Sequence, residues 1–214
     1  MHIILLSTFP EYFASPLQTS IVGRAISNKQ VEIFPIQLRD FATDSHRTTD
    51  DRPYGGGAGM VMMVEPIDRA LQATTKLREG SHRTILLSAR GKRLNQSAVS
   101  RLASYQSMTL ICGHYGDVDQ RVADHLVDEE ISVGDFVLTG GEPAALVLID
   151  SVVRLLPGVL GNDESLQNES HAEPGKVSAP SYTRPQTYGD WKVPEVLLNG
   201  DHAEIMKWKT KHSG

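Results

Sequence analysis

The sequence predicts an α/β fold with a largely parallel sheet. Short apolar segments of strand length alternate with amphipathic segments of helical spacing along residues 2–156, and this alternation is typical of β-α-β units. An apolar fraction of 40% in 214 residues is enough for a buried core of ordinary domain size. The first segment, residues 2–7, is almost uniformly apolar, as expected of a strand that is covered on both faces.

The predicted elements follow in regular order. Strands are expected at residues 2–7, 31–38, 83–88, 107–112 and 128–133, and helices at residues 16–29, 65–78, 95–105, 117–126 and 142–156. Asn95 is the expected N-cap of its helix, because an Asn side chain accepts a hydrogen bond from a free backbone N–H group. A last helix is expected to begin near Asp201, with Glu204 three residues later as in a capping box.

Two segments lack this periodicity. Residues 39–59 form a polar, glycine-rich loop of a length that indicates function or disorder. Residues 157–190 are rich in Gly, Pro, Ser and Asn, which is typical of a linker or a mobile lid.

Charge and composition exclude several classes of protein. A net charge of −5 excludes a uniformly basic nucleic-acid-binding protein, although it permits a local basic patch. The N-terminus lacks the basic flank of a signal peptide, and the longest apolar run, residues 143–149, is far too short to cross a membrane. The single cysteine, Cys112, excludes an intrachain disulfide. We therefore expect a cytoplasmic protein with no membrane partner.

No common metal-binding motif is present. The sequence lacks H-E-x-x-H, C-x-x-C and EF-hand patterns, and its eight histidines do not cluster at ligand spacing. We therefore predict no metal bound by the protein alone.

The most informative segment is TDDRPYGGGAGMVMM, at residues 49–63. Its glycines permit backbone conformations and close ligand contacts that other residues do not. Free backbone N–H groups of such a loop can surround a phosphate or a nucleotide. The alternative is a structural turn that packs the three following methionines.

Two further glycine segments follow predicted strands. CGHYGDVDQR begins at Cys112 and GDFVLTGGE begins at Gly134, and open α/β sheets bind ligands where their strands end. Phe136 and Leu138 are candidates for enclosing a flat aromatic ring. The alternatives are an ordinary glycine turn and a tight connection. Cys112 itself is more typical of a small buried hydrophobe than of a nucleophile.

Three other features each permit a structural and a functional interpretation. Arg154, at the end of an apolar helix, either pairs with the helix dipole or directs a charge into a pocket. Glu169 is either a solvated loop residue or a catalytic carboxylate. The segment SYTRP and the basic helix containing Trp208 are either a solvated surface or a contact for a nucleic-acid backbone and base.

Five segments in order carry a family resemblance: DDRPYGGGAGM, CGHYGDVDQRV, ISVGDFVLTGGE, DSVVRLLPGVLGN and SYTRPQ. Together they resemble the bacterial tRNA (guanine-N1-)-methyltransferase family, of the S-adenosylmethionine-dependent SPOUT superfamily. The resemblance runs over nearly the whole chain. It implies a tRNA (guanine(37)-N1)-methyltransferase, which methylates N1 of the guanosine 3′ of the anticodon. It also implies a homodimer with each active site at the subunit interface.

The resemblance implies three regions. Residues 1–160 would form an α/β, parallel-sheet SPOUT methyltransferase domain with a C-terminal trefoil knot, an exception to the rule that chains do not thread themselves. Residues 161–190 would be a flexible linker or lid. Residues 191–214 would form a small helical tRNA-binding domain, shorter than in relatives.

The family's functional residues map onto this sequence. Arg154 matches the catalytic arginine and Glu169 matches the general base, and the two are expected to come from opposite subunits. Substrate tRNA is expected to contact Arg52, Tyr54, Gly59, Arg184, Lys207 and Lys209. The methyl donor, S-adenosyl-L-methionine, is expected to contact Leu86, Leu87, Ser88, Gly91, Gly113, Tyr115, Ile131, Val133, Gly134, Phe136, Leu138, Gly140 and Gly141.

The chain departs from the family pattern at several positions. C-G-R-Y-E-G reads C-G-H-Y-G-D here, so His114 replaces a cation, Gly116 replaces an acid, and Asp117 is a candidate substitute for that acid. Ala58 and Ala89 stand where prolines are usual, and Glu169 replaces an aspartate. These departures leave assistance by Mg²⁺ open. The alternative function is a weakened or inactive protein that binds RNA or the donor on the same scaffold.

Overall fold

The computed structural model describes residues 1–161, 169–173 and 175–214. The chain divides into two compact units, residues 1–161 and residues 162–214. The three-part division expected from the resemblance, with boundaries after residues 160 and 190, stays a prediction.

Both units contain strands and helices. The strands are β1 (His2–Ser7), β2 (Glu32–Gln37), β3 (Asp50–Asp51), β4 (Val61–Met62), β5 (His82–Arg93), β6 (Ser107–Cys112), β7 (Asp117–Val118), β8 (Glu129–Ser132), β9 (Thr187–Tyr188) and β10 (Trp191–Lys192). The helices are α1 (Ser20–Ser27), α2 (Val64–Ala73), α3 (Gln96–Ala103), α4 (Gln120–His125), α5 (Glu142–Val153) and α6 (His202–His212).

A parallel sheet forms the centre of the first unit. Its five strands lie in the order β2-β1-β6-β5-β8, and every neighbouring pair is parallel. The predicted α/β class with a largely parallel sheet is therefore confirmed. Since all five strands point the same way, the loops after β5, β6 and β8 emerge at one edge.

The sheet is buried on both faces because its strands alternate between two hydrophobic clusters. Ile3 and Leu5 of β1 face one cluster together with residues of α1, α3 and α5. Ile4 and Leu6 face the other cluster together with residues of α2 and α4. These four side chains are fully inaccessible, as expected when successive residues of a strand point to opposite faces. This explains why residues 2–7 read as a continuous apolar run.

The helix caps agree only in part with the sequence prediction. Asn95 accepts a hydrogen bond at its Oδ1 from the Ala98 N–H (2.9 Å), and Asp201 accepts from the N–H groups of Ala203 and Glu204, so both N-caps are confirmed. The return bond of a capping box is not made. The Asp201 N–H donates to Asn199 Oδ1, and the Glu204 carboxylate accepts from Lys207 instead.

The helix predicted over residues 117–126 is shorter than expected. Asp117 and Val118 form β7, which pairs with β4 from the glycine-rich segment. The helix α4 begins only after Asp119, whose side chain accepts from the Arg121 N–H (2.9 Å). The main-chain pairing with Val61 and Met62 therefore decides the local conformation over the first predicted turn.

The strand predicted over residues 83–88 extends to Arg93 and contains a bulge. Leu87 and Lys92 both pair with Ile131 of β8, so residues 88–91 leave the ladder between them. Gly91 makes this possible because an added Cβ there would lie 2.5 Å from the Ile131 backbone. Bulges of this kind redirect side chains at the edge of a sheet.

The second unit contains the β9–β10 hairpin and α6. The hairpin is antiparallel, with Tyr188 opposite Trp191. On α6 the Trp208 ring stacks on the His212 ring at 4.2 Å between centroids, and its edge approaches Tyr182. Trp208 is therefore half-buried within this unit.

Over the described ranges, no helix combines the length and the apolar character needed to cross a membrane.

His82 predicts a loss of stability in acid. Burial and the nearby positive charge of Arg78 lower the pKa of His82 from 6.5 to about 4, and Asp128 opposes this shift. Between these two pH values the unfolded chain binds a proton that the folded protein does not, so the free energy of unfolding falls as the pH falls. His82→Gln should flatten this slope in urea denaturation measured from pH 7 to pH 4.

The matched control is His46→Gln, which changes an exposed histidine of the same unit. It should retain the wild-type pH dependence. An unchanged slope in His82→Gln would show that other groups cause the acid sensitivity.

Candidate functional site

A cleft of about 250 Å³ lies at the sheet edge where β5, β6 and β8 end. Three chain segments form it: the bulge of β5, the turn after β6, and the segment from β8 to the first turn of α5. The lining residues are Leu87, Ser88, Ala89, Arg90, Gly113, His114, Tyr115, Gly116, Asp117, Val118, Ile131, Ser132, Val133, Phe136, Val137, Leu138, Thr139, Gly140, Gly141 and Ala144. This is the edge at which parallel α/β sheets bind ligands.

Main-chain contacts hold two of these segments together. The Gly141 N–H donates to the Gly113 carbonyl at 2.7 Å, and His114 and Gly140 form an isolated antiparallel bridge. An added Cβ at Gly141 would lie 2.7 Å from Cys112 Cα and 2.9 Å from Gly113 N. Real Cβ atoms do not approach this closely, so glycine is required for the contact.

The turn after β6 contains a residue in an uncommon conformation. Tyr115 has φ = +62°, a region that bulky residues seldom occupy. Its hydroxyl accepts a hydrogen bond from Arg39 Nη2 (3.0 Å), and the next N–H, of Gly116, donates to the Met60 carbonyl (2.9 Å). Strained backbone that surrounding contacts hold in place is a feature of functional sites.

A buried carboxylate lies beside the cleft. Glu142, at the first position of α5, is only 2% exposed and accepts a hydrogen bond from the Ser7 hydroxyl (2.6 Å). The Nε2 of His114 lies 3.9 Å from Glu142 Oε2, and an added Cβ at Gly140 would lie within 2.7 Å of both side chains. A carboxylate near the N-terminus of a helix is stabilised by the helix dipole.

Cys112 is a core residue. Its side chain is fully buried, and this burial, with a further contribution from the Glu142 charge, raises the pKa of the thiol well above its usual value. A thiol in such an environment stays protonated and is a poor nucleophile. The interpretation of Cys112 as a small buried hydrophobic residue therefore agrees with the structure.

Most residues predicted to contact the donor line this one cleft. They are Leu87, Ser88, Gly113, Tyr115, Ile131, Val133, Phe136, Leu138, Gly140 and Gly141. Three others lie outside the lining. Leu86 is in the hydrophobic cluster beneath α2 and α4, Gly91 lies against the β8 backbone, and Gly134 lies against the Phe136 ring.

The predicted substrate-binding residues are at the surface of their own units. In the first unit, Arg52 is exposed, the Tyr54 ring is 100% exposed, and Gly59 adopts φ = +95°. In the second unit, Arg184 and Lys209 are exposed, and Lys207 pairs with Glu204 at 3.0 Å.

The predicted catalytic residues belong to different units. Arg154 directly follows α5 in the first unit, and its N–H donates to the Asp150 carbonyl (3.3 Å). Glu169 lies in the second unit, where its carbonyl accepts from the Ala172 N–H (3.2 Å). Both side chains are half-buried.

Sequence reasoning missed several residues of this site. Ser7 and Glu142 read as ends of a strand and a helix, and only the fold brings them together. Arg90 also gave no signal, although an arginine in a glycine-flanked turn after a strand is a charged group at the ligand-binding edge. Its guanidinium pairs with Asp117 at 3.1 Å.

Among the side chains that the structure describes, no three acidic, histidine or cysteine groups converge in a way that could hold a metal ion.

Comparison with known proteins identifies a family. The family described as tRNA (Guanine-1)-methyltransferase TrmD matches residues 1–214, the whole chain. Several curated proteins named tRNA (guanine-N(1)-)-methyltransferase are similar to the chain. That of Dehalococcoides mccartyi is 48% identical over 213 residues, covering 100% of this chain and 86% of the relative.

Relatives from other bacteria are about equally similar. The protein of the same name from Ruminiclostridium cellulolyticum is 46% identical over 209 residues, covering 98% of this chain and 89% of the relative. The one from Klebsiella pneumoniae is 46% identical over 213 residues, covering 100% of this chain and 83% of the relative.

Gly141→Ala should destabilise the protein. The added Cβ has no room between Cys112 and Gly113, and inserting a methyl group into a packed contact costs about 1–3 kcal/mol. Urea denaturation should show this loss in the free energy of unfolding. Gly161→Ala is the matched control, because an added Cβ there meets nothing within 4 Å. Equal stability of the two variants would contradict the close main-chain approach.

Proposed function

The chain belongs to the tRNA (guanine-1)-methyltransferase family, and we propose that it methylates N1 of the guanosine 3′ of the anticodon in tRNA, with S-adenosyl-L-methionine as donor. It is a tRNA methyltransferase. The observation that supports the proposed site best is the convergence on one cleft of three segments that lie far apart in the sequence.

The cleft has the chemistry to hold such a donor. Apolar side chains, among them Ile131, Phe136 and Leu138, suit a purine ring, and the glycines at 113, 140 and 141 expose backbone groups to it. Pockets for small molecules commonly combine such an apolar lining with a few well-placed polar groups. When bound, the donor supplies an electrophilic methyl carbon, and the protein supplies its orientation.

Glu169 is the proposed general base. Guanine N1 carries a proton at neutral pH and is a weak nucleophile until that proton is removed. A carboxylate within hydrogen-bond reach can accept the proton, which typically accelerates a reaction by about 10²–10⁴-fold. The extra methylene of Glu169, relative to the aspartate usual in the family, lengthens this arm.

Arg154 is the proposed electrostatic partner. As N1 loses its proton, negative charge grows toward O6 of guanine. A guanidinium is always charged and has several N–H donors in a fixed plane, so it can stabilise this oxygen in the transition state. Its fixed position after the rigid, apolar α5 would help to orient it.

The exposed residues are proposed to bind tRNA. Arg52 and Arg184, with the lysine face of α6, would contact phosphates, and these contacts position a nucleic acid without reading its sequence. The Tyr54 ring could stack on an unpaired base. The target guanine must leave its stack before it can be methylated.

The remaining features of the proposal come from the resemblance. We propose a homodimer in which Arg154 and Glu169 of opposite subunits meet at one active site. A C-terminal trefoil knot in the first unit and a cytoplasmic location are further expectations. The names of the relatives support catalysis over the alternative of an inactive binding protein.

Glu169→Gln should lower the rate of methyl transfer to tRNA by about 10²–10⁴-fold, because the amide cannot accept the N1 proton. Donor affinity, measured by calorimetry, should not change. Glu173→Gln is the matched control: its carboxylate lies in the same segment and pairs with Lys176. Full activity of Glu169→Gln would remove this residue from the proposed role.

Mixing two inactive variants tests the shared site. If each site takes Arg154 from one subunit and Glu169 from the other, a mixed dimer of Arg154→Gln and Glu169→Gln retains one intact site. Random exchange of subunits should then recover about a quarter of wild-type activity. No recovery, with subunit exchange verified by mass spectrometry, would show that both groups act within one subunit.

A further inference from the structure

The cleft contains one ion pair that the proposed chemistry does not use. Arg90 lies in the bulge of β5, and Asp117 is the first residue of β7. Arg90 Nη2 lies 3.1 Å from Asp117 Oδ2 and 3.3 Å from Oδ1. Both residues line the cleft, so the pair joins two of the segments that form it.

Local contacts anchor the backbone of Arg90 and the carboxylate of Asp117. The backbone N–H of Arg90 donates to the Ser88 hydroxyl (3.1 Å), which stabilises the bulge. Asp117 Oδ1 accepts from the Val118 N–H (2.8 Å), and Asp117 itself pairs with Val61 of β4. The two charges therefore face the cleft from anchored backbone.

Both groups retain capacity for further hydrogen bonds. The guanidinium of Arg90 contacts Asp117 through Nη2, and a guanidinium has five N–H donors in all. The carboxylate accepts from one N–H and one guanidinium, and it has about four lone-pair positions. A ligand that carries an anion and a cation could bind both groups without breaking the pair.

Among the described residues that line the cleft, His114 is the one side chain besides Arg90 and Asp117 that can carry a charge. It is directed elsewhere: its ring packs against Phe9 at 4.8 Å, and its Nε2 faces Glu142. Arg90 and Asp117 are thus the charged groups that remain for a ligand in the cleft.

We propose that Arg90 and Asp117 recognise the amino-acid part of the methyl donor. Arg90 would bind its α-carboxylate and Asp117 its α-ammonium, forming a ring of four alternating charges. The inference rests on the proposed function, because it assumes that the cleft is the donor site. It assigns to this chain a specificity determinant built from Asp117, at a position where the family usually has another residue, and from Arg90.

The pair is poorly suited to a purely structural role. Its side chains are 53% and 42% exposed, and exposed ion pairs contribute little to stability. Arg93, on the same strand as Arg90, provides a natural comparison: it pairs with Asp135 at 2.7 Å, and neither residue lines the cleft.

Two ligands separate recognition of the amino-acid part from binding of the nucleoside. S-Adenosylhomocysteine carries both charges, whereas 5′-methylthioadenosine has the nucleoside and the sulfur but neither charge. Calorimetry should show that Arg90→Gln and Asp117→Asn each weaken the affinity for S-adenosylhomocysteine by about ten- to a hundredfold. Affinity for 5′-methylthioadenosine should change by less than about twofold, and Arg93→Gln should leave both affinities unchanged.

The outcomes are distinct. An equal loss for both ligands would mean that the pair only shapes the cleft, and unchanged affinity for S-adenosylhomocysteine would mean that it does not touch the ligand; either result overturns the inference. Failure of the wild-type protein to bind either compound would instead refute the donor site itself.

A charge-swapped double variant, Arg90→Asp with Asp117→Arg, gives an independent test. It retains an ion pair across the cleft but exchanges the two charges. Direct recognition predicts that affinity for S-adenosylhomocysteine stays low, because the ligand's charges face groups of the same sign. Recovery of wild-type affinity would show a structural role and overturn the inference.

Discussion

The site depends on the close approach of two backbone segments at Gly113 and Gly141. Their 2.7 Å hydrogen bond joins the turn after β6 to the start of α5, and no side chain fits between them. This contact fixes where α5 begins. The position of α5 in turn places Glu142 beneath the cleft and Arg154 at the helix end. Glycine is needed here because it leaves enough space for the two backbone segments to approach each other.

The parallel sheet provides the rigid support for this contact. The buried strands β1 and β6 contribute side chains to both hydrophobic clusters, so neither strand can shift without disturbing packing on both faces. The loops that follow the strands inherit this rigidity. Catalytic and binding groups on loops gain precision from such a scaffold, and the bulge of β5 uses it to direct residues 88–91 out of the sheet.

Charge is distributed unevenly around the cleft. Glu142 is buried and satisfied by the Ser7 hydroxyl, whereas Arg90 and Asp117 are partly exposed and retain hydrogen-bonding capacity. A buried carboxylate with a partner serves to hold structure, because leaving such a group unpaired would be costly. A partly solvated pair can exchange water for a ligand at low cost, and this contrast separates the supporting residues from those available for recognition.

The sequence by itself determined the five strands of the parallel sheet and the helices that alternate with them. It also determined the N-caps at Asn95 and Asp201 and the glycine segments of the cleft. These follow from local periodicity and from hydrogen bonds between near neighbours. Only the tertiary structure decided that β5 bulges at residues 88–91, that residues 117–118 pair with β4, and that Ser7 meets Glu142 across the sheet edge. Such features depend on contacts between distant segments, and no local pattern records which segments will meet.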